Sequence, residues 1–402
     1  INILLNHYNI FPKKIKIEES NYEKSISRKD LRKLELFSID PKDCMDIDDA
    51  LSIEINDDIT TIGVHIAQPI CWLSPDSIKK KMYYQFSTLY INEERKDLWG
   101  LEVTNKASLF EGEEKPCYSV FYHYKDNILI RTEDFPSLVI NKKKLTYDNA
   151  DNYKSSRLLK DFTNLLENID DYHELVSYWM KETNKYIGIK LKDKIPYRVN
   201  RIKVDSSIVN TEEFTKDIGK ILFQKNIESA YYSMTENYHT TLDVNYYCHF
   251  TSPIRRFIDS WIHFYLTYSD SIKLEIDIDR VNYLDKQTKK FHRCIELDNI
   301  YSTIFKEYNC IERIGFITDI IAINKIEVYI EDIGFLKVRL YNLKFHYLVS
   351  VEKSNNIIEI EYNGEKYKFA VGDKVELILN KLEAIIPKDK LIVELKNSIN
   401  FF

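Results

Sequence analysis

Apolar positions along this chain follow two rhythms. Short apolar runs at residues 34–39, 50–55 and 61–67 read as buried strands, and the first two bracket a polar knot, DPKDCMDIDD, at residues 40–49. Ser74 and Pro75 predict a helix over 74–84, with Ser74 as its cap and Pro75 at the first helical position. Residues 86–119 read as loop with short strands, Tyr90 among them. Leu158, Phe162, Leu165, Leu166 and Ile169 recur at helical spacing and predict one helix running on to residue 187. A strand-like run at 202–204 precedes a helix over 212–235. Ser252 and Pro253 predict another helix start inside YYCHFTSPIRRFIDSWIHFYL, residues 246–266. From residue 314 the texture becomes alternating, over 314–320, 326–330, 335–340, 357–362, 367–369, 374–379 and 391–394, with a turn at Asn363-Gly364. Short strands at this spacing predict a small closed barrel; an OB-type barrel that binds single strands fits the pattern, and so does a barrel with no nucleic-acid role.

The 402 residues are enough for two or three domains. With 44% hydrophobic and 30% charged residues and only nine Gly and nine Pro, the chain is neither a linker nor a collagen-like repeat. A net charge of −6 excludes an overall basic nucleic-acid coat and leaves room for a local basic channel. The six cysteines are scattered without a CxxC pair, so free thiols in a reducing compartment are expected. There is neither a signal peptide nor an apolar run of membrane length, so an intracellular, cytoplasmic protein is expected.

The knot carries the chemistry. Asp40, Asp43, Asp46, Asp48 and Asp49 repel one another unless positive charge sits among them, and apolar strands on both sides do not suit a solvated acidic loop. Carboxylates grouped this way suit Mg²⁺ or Mn²⁺, which prefer oxygen ligands. An EF-hand fails on spacing: counted from Asp46, the fifth, sixth and twelfth positions are Ala50, Leu51 and Asp57. A zinc site lacks its His and Cys cluster, and Cys44 reads as a small buried filler. His65, in the strand 61–67, reads as a core histidine or one behind the ligands.

A second concentration of chemistry is SPIRR, at residues 252–256. Arginine in the first turn of a helix opposes the dipole, whereas a helix start beside an arginine suits a phosphate, so Arg255 reads as a phosphate contact. Arg256 with Asp259 reads first as a structural pair, on a face shared with Ser260 and His263. Lys286, Lys289, Lys290 and Arg293 form a basic stripe that reads as a solvated helix face.

Together the two motifs, FSIDPKDCMDIDDAL at 37–51 and HFTSPIRRFID at 249–259, resemble the signatures of the RNase II (RNB) family, in particular its exosome-subunit branch. RKDLR at 28–32, STLY at 87–90 and KKLTYD at 143–148 fit that family in order and spacing, over residues 20–310. The resemblance implies an α+β fold: an N-terminal arm over 1–24, an RNB catalytic core over 25–311, and a small all-β S1-type OB barrel over 312–396. It also implies a Mg²⁺-dependent hydrolytic 3′→5′ exoribonuclease, with Mn²⁺ as a substitute, degrading single-stranded RNA to nucleoside 5′-monophosphates. Asp40, Asp46, Asp48 and Asp49 would be the metal carboxylates, with Asp43 spare. Asp48 and Arg255 would act in catalysis. Tyr90 and Tyr147 would stack on bases, and Ser252, Arg255 and Arg256 would face the RNA backbone. Besides RNA, the partners implied are an RNA-degradation complex or a helicase, and no membrane.

The chain departs from the family in places. Ile218-Gly219-Lys220 stands where Val-Glu-Glu is usual, DLWGL at 97–101 replaces a Met-Leu-Pro turn, Phe264 replaces an arginine, and the segment 236–246 is short. The rival reading is a catalytically degenerate RNB-fold subunit that binds RNA. A metal-dependent DNA nuclease is a third reading, on the same acids.

Overall fold

The computed structural model describes residues 2–12, 26–92, 94–202, 216–268, 274–322, 325–339, 347–352, 357–362, 365–384 and 391–395. Lys13, Lys14, Lys16, the Asn363-Gly364 turn and most of the 202–204 run lie outside them. The chain packs into two compact units, Ile1–Asn200 with Ala230–Lys289, and Arg201–Ser229 with Lys290–Phe402.

After a short helix α1 (Asn2–His7), the first unit is built on β1 (Lys29–Asp30), β2 (Leu36–Asp40), β3 (Asp49–Asn56) and β4 (Ile59–Ala67). Helix α2 (Pro75–Lys81) follows, and then the hairpin of β5 (Leu89–Ile91) and β6 (Glu94–Lys96). Helix α3 (Leu101–Ala107) leads into β7 (Glu114–Lys125), β8 (Ile128–Ile140) and β9 (Lys143–Thr146). Among the described residues seven of these strands form one sheet in the order β1-β8-β7-β4-β3-β2-β9. The pairings β1–β8 and β2–β9 are parallel, and the other four are antiparallel. Every residue of β2 is buried, the polar Ser38 and Asp40 included. The predicted cap on α2 is present, with Ser74 Oγ accepting the Ser77 N–H at 3.2 Å. His65 is a core histidine, held between Ser52 Oγ at 3.0 Å and Ser119 Oγ at 2.7 Å.

The one long helix expected up to residue 187 is two, α4 (Lys154–Thr163) and α5 (Tyr172–Lys190). Polar side chains make the break. Asn164 Oδ1 accepts the Ile169 N–H at 2.9 Å, and Asp171 caps α5 by accepting the Glu174 N–H at 2.8 Å. Leu165, a core position by its spacing, lies in the break and is 63% exposed. Helix α5 packs Leu175, Trp179 and Ile187 into the core, where Trp179 meets Tyr122 and Tyr124 of β7. At Gly188 a Cβ would stand 1.6 Å from the Tyr246 carbonyl oxygen, so only glycine lets the helix approach the second motif this closely.

Strand β10 (Tyr197–Val199) and helix α6 (Lys216–Asn226) follow. The helix expected over 212–235 therefore ends at Asn226, because the chain turns back as β11 (Tyr231–Ser233) to pair with β10. Strands β12 (Tyr238–His239) and β13 (Val244–Asn245) make a small hairpin, followed by α7 (Phe257–Tyr268) and α8 (Ile278–Ile304). Among the described residues no helix is long and apolar enough to cross a membrane.

The second unit contains α6, the later part of α8, and strands β14 (Cys310–Ala322), β15 (Lys325–Ile330), β16 (Gly334–Arg339), β17 (Tyr347–Glu352), β18 (Ile357–Tyr362), β19 (Glu365–Ala370), β20 (Lys374–Lys381) and β21 (Leu391–Leu395). Five of them form an antiparallel sheet, β16-β15-β14-β20-β21, and β17-β18-β19 a separate one. The two edges of the larger sheet, β16 and β21, come together. Alternate residues Ile326, Val328 and Ile330 point into its core, and Lys225 of α6 pairs with Asp319 at 2.7 Å and Glu327 at 2.8 Å.

Candidate active site

The strand–loop–strand pattern around residues 40–49 puts Asp40 on the last residue of β2 and Asp49 on the first of β3. Parallel pairing sets Asp40 opposite Thr146, which brings the next residue, Tyr147, to the same end of the sheet. A cleft of about 930 Å³ opens there. Asp40, Asp46, Asp48, Asp49, Tyr90, Tyr147, Ser252, Arg255 and Arg256 all line it. Asp43 also lines it, exposed on the loop.

The four carboxylates differ in what they touch. Asp48 is 3% exposed, with Oδ1 accepting the Ile254 N–H at 2.8 Å and Oδ2 accepting Arg255 Nε at 3.2 Å. Burial pushes its carboxyl up to about 7 against the pull of Arg255. Asp46 Oδ2 accepts the Tyr90 hydroxyl at 2.5 Å, and its Oδ1 accepts Arg95 Nη1 at 3.3 Å. Asp40 Oδ2 is buried and has no hydrogen-bond partner. Burial raises the Asp40 carboxyl to about 6, although Ser38 and Lys144 draw it down. Asp49 is held well above the ordinary carboxylate range, by burial first and then by repulsion from Asp40 and Asp48. Cys44 is not the buried filler expected: half-buried at the cleft, its thiol donates to Asp46 Oδ1 at 3.8 Å and is pushed up to about 12, chiefly by burial.

This donor set fits a hard cation: it is all oxygen, with one buried oxygen bare and neighbouring acids that repel. Even so, among the described residues no three His, Cys, Asp or Glu side chains stand together as a ready cation site. Asp46 and Asp48 have their oxygens turned to protein donors.

The second motif is not the helix start expected from Ser252 and Pro253. Residues 252–256 form a turn, in which the Ser252 carbonyl accepts the Arg256 N–H at 3.0 Å, and α7 begins at Phe257. The segment is tied sideways instead. The Thr88 N–H donates to the Arg255 carbonyl at 2.9 Å, and the Phe257 N–H donates to the Phe86 carbonyl at 2.8 Å. These bonds take backbone groups that a helical first turn would use, so Arg255 does not oppose a helix dipole. Its guanidinium reaches Ser252 Oγ at 3.0 Å as well as Asp48, and its side chain stays 47% exposed. Arg256 makes the expected structural pair with the fully buried Asp259 at 2.7 Å. Asp259 also accepts the Ser252 N–H at 2.8 Å, so that pair steadies the turn from below.

The Tyr90 ring is 44% exposed, whereas Tyr147 is half-buried with one face stacked on His173 at 3.4 Å between ring centres. Of the basic stripe on α8, Lys286 and Lys290 are exposed as a solvated face requires, whereas Lys289 pairs with Asp285 at 2.8 Å and Arg293 donates to the Ile333 carbonyl at 2.6 Å. Sequence reading missed Arg95 and Asn184. Arg95 sits opposite Tyr90 across the β5–β6 hairpin, a pairing that only its short turn hints at. Asn184, on α5, donates to the Tyr247 hydroxyl at 3.1 Å and accepts the Phe250 N–H at 2.8 Å.

The chain belongs to the RNB domain family, whose profile matches residues 28–183 and 159–268. It is 22% identical over 479 residues to ribonuclease R of Mycoplasmopsis pulmonis, covering 94% of this chain and 64% of that protein. It is 33% identical over 129 residues to the probable exosome complex exonuclease RRP44 of Caenorhabditis elegans, covering 31% of this chain and 13% of that protein. The fold matches the apo form of Mycoplasma genitalium RNase R with a TM-score of 0.76, at 17% identity, over 98% of this chain and 77% of that one. Yeast Ssd1, a pseudonuclease, matches with a TM-score of 0.73, at 12% identity, over 98% of this chain and 73% of that one. The chain spans 64% and 47% of the first two curated relatives it matches, both named ribonuclease R.

Proposed function

We propose that this cleft is the active site of a Mg²⁺-dependent hydrolytic exoribonuclease, which removes nucleoside 5′-monophosphates from the 3′ end of single-stranded RNA. The observation that carries the reading is the convergence of Asp40, Asp46, Asp48 and Asp49 with the exposed Arg255 and with Tyr90 and Tyr147 on one cleft, from segments as far apart as residues 40 and 255. Asp40, Asp46, Asp48 and Asp49 would hold the cation, which supplies charge neutralisation and a nucleophilic water near neutral pH. Arg255, fixed through Nε by Asp48 and through its terminal nitrogen by Ser252, presents the rest of its guanidinium to the scissile phosphate. Tyr90 offers an exposed ring to a base, and Tyr147, backed by His173, offers its other face. In the second unit we read the five-stranded sheet as an S1-type OB barrel that grips longer RNA, a reading supported by its strand order and meeting edges. A seat in an RNA-degradation complex or beside a helicase goes with this reading.

The second reading is an RNA-binding protein of the same fold without turnover. It draws on the likeness to Ssd1, a pseudonuclease. End-labelled single-stranded RNA, incubated with Mg²⁺ and with EDTA and read on a sizing gel, decides between them. Stepwise release of mononucleotides in Mg²⁺ alone is the expected result. Retained binding with intact RNA in Mg²⁺ and in Mn²⁺ would select the second reading.

A further inference from the structure

Five carboxylates within ten residues need positive charge among them, and two arginines on unrelated segments supply it. Arg255 reaches Asp48 and Arg95 reaches Asp46. Tyr90 and Arg95 are cross-strand partners in the β5–β6 hairpin, and both side chains converge on Asp46, one on each oxygen. An ion pair between Arg95 Nε and Asp97 at 2.8 Å anchors the guanidinium from its other side. The Arg95 side chain is 19% exposed and that of Asp46 8%, so water screens the contact only in part. Asp40 Oδ2 meets no such donor.

We propose that Arg95 and the Tyr90 hydroxyl are resident competitors for Asp46, occupying it in the cation-free protein and setting how tightly a divalent cation binds before RNA arrives. The inference rests on the reading of the acidic loop as a hard-cation site. A cation entering the loop finds Asp40 Oδ2 bare but must share or displace Tyr90 and Arg95 at Asp46, where the Cys44 thiol is a weaker third donor at 3.8 Å. Arg95 and Tyr90 are positioning residues in this role. They hold a negative carboxylate in a place where, without a counter-charge, it would repel Asp40, Asp48 and Asp49. Removing either donor therefore frees Asp46 for the cation.

The test is Mn²⁺ binding to the full chain without RNA, measured by calorimetry and by the signal of free Mn²⁺ in electron paramagnetic resonance. Tyr90→Phe and Arg95→Gln should each bind Mn²⁺ about threefold to tenfold more tightly than wild type, the scale of one net hydrogen bond. Asp46→Asn should bind more weakly. Tyr90→Phe decides the matter because it changes no charge. A gain in Arg95→Gln with Tyr90→Phe at the wild-type value would reduce the effect to a general field and overturn the proposal. Equal or weaker binding in both variants would overturn it too. Should Arg95→Gln fail to fold, Arg95→Lys keeps the charge, loses the planar fork and should still gain affinity. Wild-type binding in Asp46→Asn, or no binding by wild type, would instead refute the cation reading of the loop, and this inference with it.

Discussion

The two motifs that meet in the cleft are held in different ways. The acidic loop is anchored at both ends in the sheet, where Asp40 pairs with Thr146 of β9 and Asp49 with Ile66 of β4, and Ser108, Leu109 and Lys144 bond its backbone between them. The arginine turn at 252–256 is held from outside, by Phe86 and Thr88 through the backbone, by Asp48 from the loop, and by Asp259 from α7. A motif anchored at both ends in a sheet survives the loss of one side chain, whereas a turn held by separate segments loses its register.

Changes at Asp48 test the joint between the two motifs and carry the largest expected effect. Asp48→Asn keeps an oxygen for the Ile254 N–H but removes the charge, so turnover should fall by orders of magnitude while RNA binding survives. Equal loss of binding and cleavage would make Asp48 a structural residue. Gly188→Ala should come next, since its Cβ would collide with backbone at Tyr246, just ahead of the arginine turn. A loss of more than about 2 kcal/mol in a denaturant titration is expected, and wild-type stability would show that α5 can move away cheaply.

The arginines separate chemistry from support. Arg255→Lys keeps the charge but loses the forked donor, and should lower kcat at least about tenfold. Arg256→Lys, facing Asp259, should lower Tm more than kcat. The reverse pattern would shift the phosphate contact by one residue.

Acidity sharpens the comparison further. Burial favours the neutral form of Asp48, so the folded chain keeps a proton there that the unfolded chain releases above its ordinary value of 3.8. The stability gained by that proton is complete below 3.8 and is lost as pH rises through about 7. In chelator, Asp48→Asn should therefore gain in Tm over wild type between pH 5 and pH 8. Buried His65 and His263, whose values burial lowers to about 3, pull stability the other way but cancel in the difference. A flat difference would mean that Asp48 is ionised throughout.

The smallest effect is expected at Tyr147. One stacked base is worth roughly 1–3 kcal/mol, enough to change retention of a short fragment but not of long RNA. Tyr147→Ala should alter the length of the limit product while leaving degradation of long RNA nearly intact. Identical limit products would leave Tyr147 as a core ring packed on His173.

Much of this protein is legible in its sequence because the chemistry that shapes it is local. Apolar runs on both sides of the knot dictate strand, loop and strand, and Ser74 before Pro75 dictates a capped helix, because those preferences act within a few residues. Ser252 before Pro253 offers the same local signal, yet the helix starts at Phe257. There the backbone of Phe86 and Thr88 competes for the same hydrogen-bonding groups, and that competition is not written in the local sequence. The break between α4 and α5 stands between these cases. Asn164 and Asp171 can end and cap a helix, but five apolar residues at helical spacing outweigh them on pattern alone, and it is the fold that leaves Leu165 no core to face. Arg95 and its grip on Asp46 need the tertiary structure outright, since hairpin register and the approach of residues 49 positions apart are set by packing. Residue type states which groups can hold a charge or a proton. Only the fold decides which of them are dry, which are paired, and which are left open to a ligand.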